Sequence, residues 1–169
     1  MIATRRRLTA AVVSLALLAG APLLAGCGNS VENAIENAAG DAIGGDVDLD
    51  DGTLTVTNSD GTQVQIGENA AIPDNWPSAV PTYDGGTLLT VSVSADASQA
   101  SGMWKTDQPA KDAITAYSSA LTSAGFTAGQ VNDMDGVTTA DFTGNGYSVT
   151  LMAIAVDDAT TLTAVVEKE

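Results

Sequence analysis

Histidine is missing from this chain of 169 residues, and cysteine occurs once. The first absence removes Ser-His-Asp and Cys-His relays and every imidazole metal ligand. The second removes intramolecular disulfides, zinc knuckles and Cys-x-x-Cys redox pairs. Basic residues are scarce as well: 6 Lys and Arg stand against 21 Asp and Glu, a net charge of −15. Affinity for phosphate comes mainly from Lys and Arg, so no nucleic-acid partner is expected. Aromatic residues make up only 4% of the chain, which favours core anchors over a ligand groove for those present. The length admits one ordinary domain with accessory segments, and no internal repeat divides it.

The N-terminus is organised as an address. Arg5, Arg6 and Arg7 form a positive region, and no charged residue follows until Glu32. Leu8 to Leu24 is apolar but interrupted by Gly20 and Pro22. A run this short and broken suits a secretory signal better than a membrane span. It closes on Leu24-Ala25-Gly26-Cys27, which resembles the lipobox of bacterial lipoproteins: an apolar residue, two small ones, then cysteine. The resemblance implies that residues 1–26 are a lipoprotein signal peptide and that Cys27 carries a thioether-linked diacylglycerol. Small side chains let a peptidase approach the backbone, and a thiol is the group that accepts the lipid. Two acyl chains meet the requirement for stable anchoring. The implied partner is membrane lipid, and the implied location is the extracytoplasmic face of the cell membrane. An ordinary leader with an incidental cysteine is the alternative. Thr4-Arg5-Arg6-Arg7-Leu8 also resembles part of a twin-arginine signal, but Thr9 interrupts the apolar pair and a generic basic region reads better.

Every Arg lies in that leader and every acid lies beyond it. Cleavage therefore leaves three Lys against 21 acids, a net charge of −18. Such a domain is repelled by anionic lipid and stays soluble on its tether. Residues 27–45 read as the lipidated cysteine and that tether. Asn29 and Glu32 have capping-box spacing, and Val31, Ile35, Ala38 and Ala42 recur at helical spacing. Gly40, Gly44 and Gly45 interrupt the pattern. The reading is a short helix fraying into linker, with a partner-binding helix as the alternative.

Residues 46–169 read as a single α+β domain, a mainly antiparallel sheet with one amphipathic helix on one face in two layers. Asp46–Asp50, Thr53–Thr57 and Gln63–Ile66 alternate with period two, and Asn58-Ser59-Asp60-Gly61 supplies a hairpin turn. Gly67–Gly86 is an irregular strap in which Pro73, Pro77 and Pro81 exclude a continuous helix. Thr87–Ser94 is a strand with Leu89, Val91 and Val93 on one face, and Ser101–Thr106 is its partner. Thr106 or Asp107 is expected to cap a helix whose Ala110, Ile114, Tyr117 and Leu121 share a face. Gly125 stops it, with Phe126 folding back on Leu121. Strands follow at Val137–Thr143, Tyr147–Val156 and Thr161–Glu167, with a further short one at Thr127–Val131. The helix is expected to cover Leu89, Val91, Val149, Leu151, Leu162 and Ala164. The succession from DVDLDDGTLTV through the Pro-rich strap to AITAYSSALTSAGF is similar to small surface lipoproteins of high-GC Gram-positive bacteria. That resemblance implies fold and location and brings no catalytic residue with it.

Few constellations carry chemistry. Asp46, Asp48, Asp50 and Asp51 precede Gly52 with partial calcium-loop spacing, but the glycine arrives one residue late and Thr57 stands where a bidentate Glu belongs. A solvated acidic edge that deters strand pairing is the alternative. Asp133-x-Asp135-Gly136 reads as a turn. Ser101 and Lys105 lie about 13 Å apart in a strand, too far for a nucleophile and its base. Trp76, Tyr83 and Trp104 are candidates for a ligand or partner contact, or for core anchors. No catalytic residue and no cofactor is expected. The function expected is a membrane-anchored, non-enzymatic interaction module of the cell envelope, monomeric and facing an envelope protein or polymer. A calcium- or small-ligand-binding lipoprotein is the second reading, and a carboxylate-based hydrolase the third. Mass spectrometry of the membrane fraction should find a chain that begins at a diacylated Cys27; an intact leader with a free thiol would refute the lipidation.

Overall fold

The computed structural model describes residues 45–50 and 52–169. The leader, Cys27, the tether helix and Asp51 lie outside the described residues. In chain order the elements are β1 (Gly45–Asp50), β2 (Thr53–Asn58), β3 (Gln63–Ile66), β4 (Thr87–Val93), β5 (Gln99–Thr106), α1 (Ala110–Ser123), β6 (Thr127–Met134), β7 (Val137–Gly144), β8 (Tyr147–Val156) and β9 (Ala159–Lys168). The strands form one antiparallel sheet in the order β1-β2-β3-β4-β5-β9-β8-β7-β6. This is an α+β fold, mostly sheet, with one helix packed on it.

Turn chemistry explains the tight hairpins. Asp135-Gly136 and Asn145-Gly146 join their strands through two residues, and all four have positive φ. Only Gly, and to a lesser degree Asn and Asp, adopt that conformation cheaply, and its twist matches the strands on either side. The longer turn between β2 and β3 closes with Gly61 at φ 81° and with the Thr62 N–H donating to the Asp60 carboxylate at 2.9 Å.

The connection from β5 to β6 has to reach the far edge of the sheet, and α1 makes that crossing over β9, β8 and β7. Ala113, Ile114, Tyr117 and Leu121 are its buried residues. They share one core with Val91, Trp104, Phe142, Val149, Leu151 and Leu162 from the sheet. The helix ends as the glycine spacing predicts. Gly125 has φ 91°, its N–H donates to the Thr122 carbonyl, and the Phe126 N–H donates to the Leu121 carbonyl, both at 3.0 Å. That pair of bonds is a Schellman motif, with Phe126 buried over Leu121.

Two expectations are corrected. The helix start is not capped by Thr106 or Asp107: Pro109 occupies the cap, and its carbonyl accepts the N–H groups of Asp112 and Ala113. Thr106 instead donates its hydroxyl to the Gly85 carbonyl at 2.6 Å, tying β5 to the strap. The second correction concerns β4. A register shift between Leu88 and Thr90 inserts Leu89 as an extra residue. Leu88 therefore pairs with Trp104 and is buried, whereas Leu89 is half-buried and its carbonyl accepts the Gly67 N–H. A bulge of this kind reverses the alternation that a strict period of two assumes.

The strap, residues 67–86, is held by its aromatic residues. The Trp76 indole N–H donates to the Val80 carbonyl at 2.9 Å, and the Tyr117 hydroxyl donates from the helix to the Pro81 carbonyl at 2.8 Å. Tyr83, Trp104 and Tyr117 form a cluster with ring centroids 5.7 to 6.2 Å apart, two of the three contacts edge-to-face. Such contacts contribute beyond area burial. A Cβ added at Gly102 would collide with the Trp104 ring, so glycine leaves the space that this cluster uses. Gly102→Ala should therefore destabilise the fold by about 1–3 kcal/mol through overpacking. The checks are urea unfolding and loss of the near-ultraviolet aromatic signal.

Candidate functional site

The flank of α1 that turns towards β6 is rich in hydroxyls. Thr115, Ser118, Ser119, Thr122 and Ser123 form one wall of a cleft of about 610 Å³. Its floor is apolar, built from Ile114 and Phe142, and Ala128, Val131 and Asp133 of β6 form the opposite wall. Lys111 and Asp133 place one charge of each sign on the lining. The cleft exists because β6 extends the sheet beyond the helix. Register sets Ala128 opposite Phe142, Val131 opposite Ala140 and Asp133 opposite Thr138. All three partners in β7 are buried, whereas every residue of β6 is exposed. Val131 is 61% exposed.

The hydroxyl wall has a defined polarity. Thr115, Ser119, Thr122 and Ser123 each donate to the carbonyl four residues earlier, at 2.8 to 2.9 Å. Their protons are committed to the backbone, and their remaining lone pairs face outward. The wall thus offers acceptors, which suits a ligand bearing amide N–H or hydroxyl donors. The same bonding works against nucleophilic chemistry, because these protons are not presented to a base. The cleft lining includes one carboxylate, Asp133, so it does not supply the paired acids of a glycosidase.

The residues singled out from the sequence lie elsewhere. Asp46, Asp48 and Asp50 alternate along the edge strand β1 and are all exposed. Successive members stand about 6.6 Å apart along the strand, so extended backbone spreads them instead of converging them. Among the described residues no group of three or more His, Cys, Asp or Glu could hold a metal ion. Trp76, Tyr83 and Trp104 are 7%, 5% and 2% exposed and belong to the core, and Tyr83 also borders a small pocket of about 150 Å³ with Asp84, Gly85 and Tyr117. The strap is held over them by the hydrogen bonds described above. Asp135 forms the expected turn, and Asp133 beside it is the one acid that enters the cleft. The cleft is not legible in the sequence. Its signal was the Ser/Thr run on the helix flank beside a strand lacking buried residues, but nothing local reveals that β6 lies next to that flank.

Titration is perturbed in two kinds of place. Burial, reinforced by the charge of Asp84, pushes the Tyr117 hydroxyl well above the usual phenol range, so it remains a donor to the strap. In the exposed turn after β4, hydrogen bonds from the Ser98 side chain and N–H, then from Ser94, lower the Asp96 carboxyl to about 2. No protein family, curated protein or solved structure matches the chain. Because the Asp96 pKa is depressed from 3.8, its bonds contribute fully above that value and are lost as pH falls through about 2. A carboxyl NMR titration should therefore give a midpoint near 2 for Asp96, and Ser98→Ala should move it upward; a midpoint near 3.8 in the unaltered protein would refute the assignment.

Proposed function

We propose that this protein is a lipid-anchored, non-enzymatic binding module of the cell envelope, and that the cleft between α1 and β6 receives an extended polypeptide segment of an envelope partner. In this reading the domain has two layers, the sheet and a cover formed by α1 with the strap. The observation that carries the reading is the free edge of β6, eight residues long and exposed throughout, beside an apolar floor with an acceptor-lined wall. An added strand would hydrogen-bond to β6 while its alternate side chains enter over Ile114 and Phe142. The two sheet edges differ in a way that supports this choice. β1 bears three carboxylates in alternation, a pattern that deters strand addition, whereas β6 bears one within the cleft wall. The lipobox at Cys27 supports the location, because the lipid would hold the cleft outside the membrane, where envelope proteins are available.

A photo-reactive amino acid placed at Val131 in the full chain in intact cells should cross-link to an envelope protein, while one at the exposed strap residue Ser78 should not. Equal labelling at both positions, or none at Val131, would overturn the docking site. Steady turnover of a cell-wall or ester substrate by the purified full chain would overturn the non-enzymatic assignment.

A further inference from the structure

The sheet has two faces, and α1 and the strap lie against one of them. In β4, β5 and β7 to β9 the buried apolar side chains point to that face. Across β1 to β3 it is polar, because register aligns Asp48, Thr55 and Gln65 with Val91, and Asp46, Thr57 and Gln63 with Val93. The apolar residues of these three strands fall on the opposite face instead. One row there runs from Val47, Val56 and Val64 to Ser92, Ser101 and Val165. The next runs from Ile66 through Thr90, Met103 and Thr163 to Met152. A third holds Lys105, Thr161 and Ile154.

This opposite face is apolar, nearly uncharged and large. Among the described residues six large apolar side chains are exposed, and five of them belong to it: Ile66, Met134, Met152, Val156 and Val165. An exposed apolar surface of this extent marks an interaction site. In a chain with 21 acids, the strand positions of this face hold two, Asp141 and Glu167, together with one lysine, Lys105. Asp141 already accepts the Thr150 hydroxyl at 3.0 Å. At about 4.8 Å per strand the nine strands span about 38 Å, and six residues along each give about 20 Å. The footprint is then about 760 Å² per copy, close to the roughly 800 Å² per partner of a stable interface.

We propose that this face joins two copies of the chain, sheet against sheet, about a two-fold axis that crosses the strands between Ser101 and Met103 of β5. Three observations select a second copy. β5 is the middle strand of the nine, so this axis lays β5 over β5 and uses the whole width of the sheet. The axis also reverses the rows, which brings Met103 over the partner's Ser101. Small side chains open a hollow of about 260 Å³ there, lined by Ser92, Ser94, Gln99, Ser101 and Val165. A flexible methionine is suited to filling such a space. The same reversal sets Lys105 over the partner's Gln99, which pairs with the partner's Glu167 on the adjacent strand, so the lysine meets an opposite charge. Each contact occurs twice, as an isologous interface requires. The surface lies across the sheet from the α1–β6 cleft, so its test is independent of what the cleft binds.

A photo-reactive amino acid at Met103 of the full chain in intact cells should give an adduct of twice the chain's mass, joined near the partner's Ser101. One at Asp112, exposed on α1, should not. An equally strong doubled adduct from Asp112 would overturn the proposal. So would attachment from Met103 to a different protein or to lipid, or no adduct at all. Lys105→Glu, which sets like charges together, should lower the yield from Met103 about tenfold or more, and adding Glu167→Lys should restore it. A yield unchanged by the first substitution, or not recovered by the second, would overturn the two-fold contact.

Discussion

The pairing of β5 with β9 is the contact on which this architecture depends. Eight register pairs, from Gln99↔Glu167 to Thr106↔Thr160, join the first half of the chain to its last strand. The pairing brings together segments about sixty residues apart, so it carries the loop-closure cost of everything between them. Once it forms, α1 has to cross above β9, β8 and β7, and Trp104 of β5 comes to lie against Tyr117 of α1. The aromatic cluster and the Tyr117–Pro81 bond then fix the strap, together with its bonds to Leu89 of β4 and Thr106 of β5.

The same crossing creates the proposed binding cleft. A helix of fourteen residues covers three strands of the second half but leaves β6 projecting beyond it. The projection exposes apolar side chains beside a row of hydroxyls that have already spent their protons on the helix backbone. Binding chemistry here would be passive, a matter of shape, strand addition and acceptor lone pairs. That character agrees with a chain that lacks histidine, the usual general base, and carries a large negative charge.

The reversal of the apolar face between β3 and β4 is the other consequence of placing β1–β3 at one end of a long sheet. The first three strands lie beyond the reach of α1, and their valines turn to the other side.

Local pattern was sufficient for most elements. Period-two alternation located β1–β4 and β7–β9, the 110–121 stripe and Gly125 located α1, and Asp135-Gly136 and Asn145-Gly146 located their turns. These signals are legible because backbone φ preferences and side-chain periodicity act over a few residues. Three things were not legible. The bulge at Leu89 changes the alternation by one residue without a local mark, the burial of Trp76, Tyr83 and Trp104 depends on segments far apart in the chain, and the cleft depends on β6 lying beside the helix flank. The sequence by itself determined the elements, the turns and the charge, whereas the tertiary structure decided which faces are covered. Burial is a property of pairs of distant segments, and no single segment encodes what will lie over it.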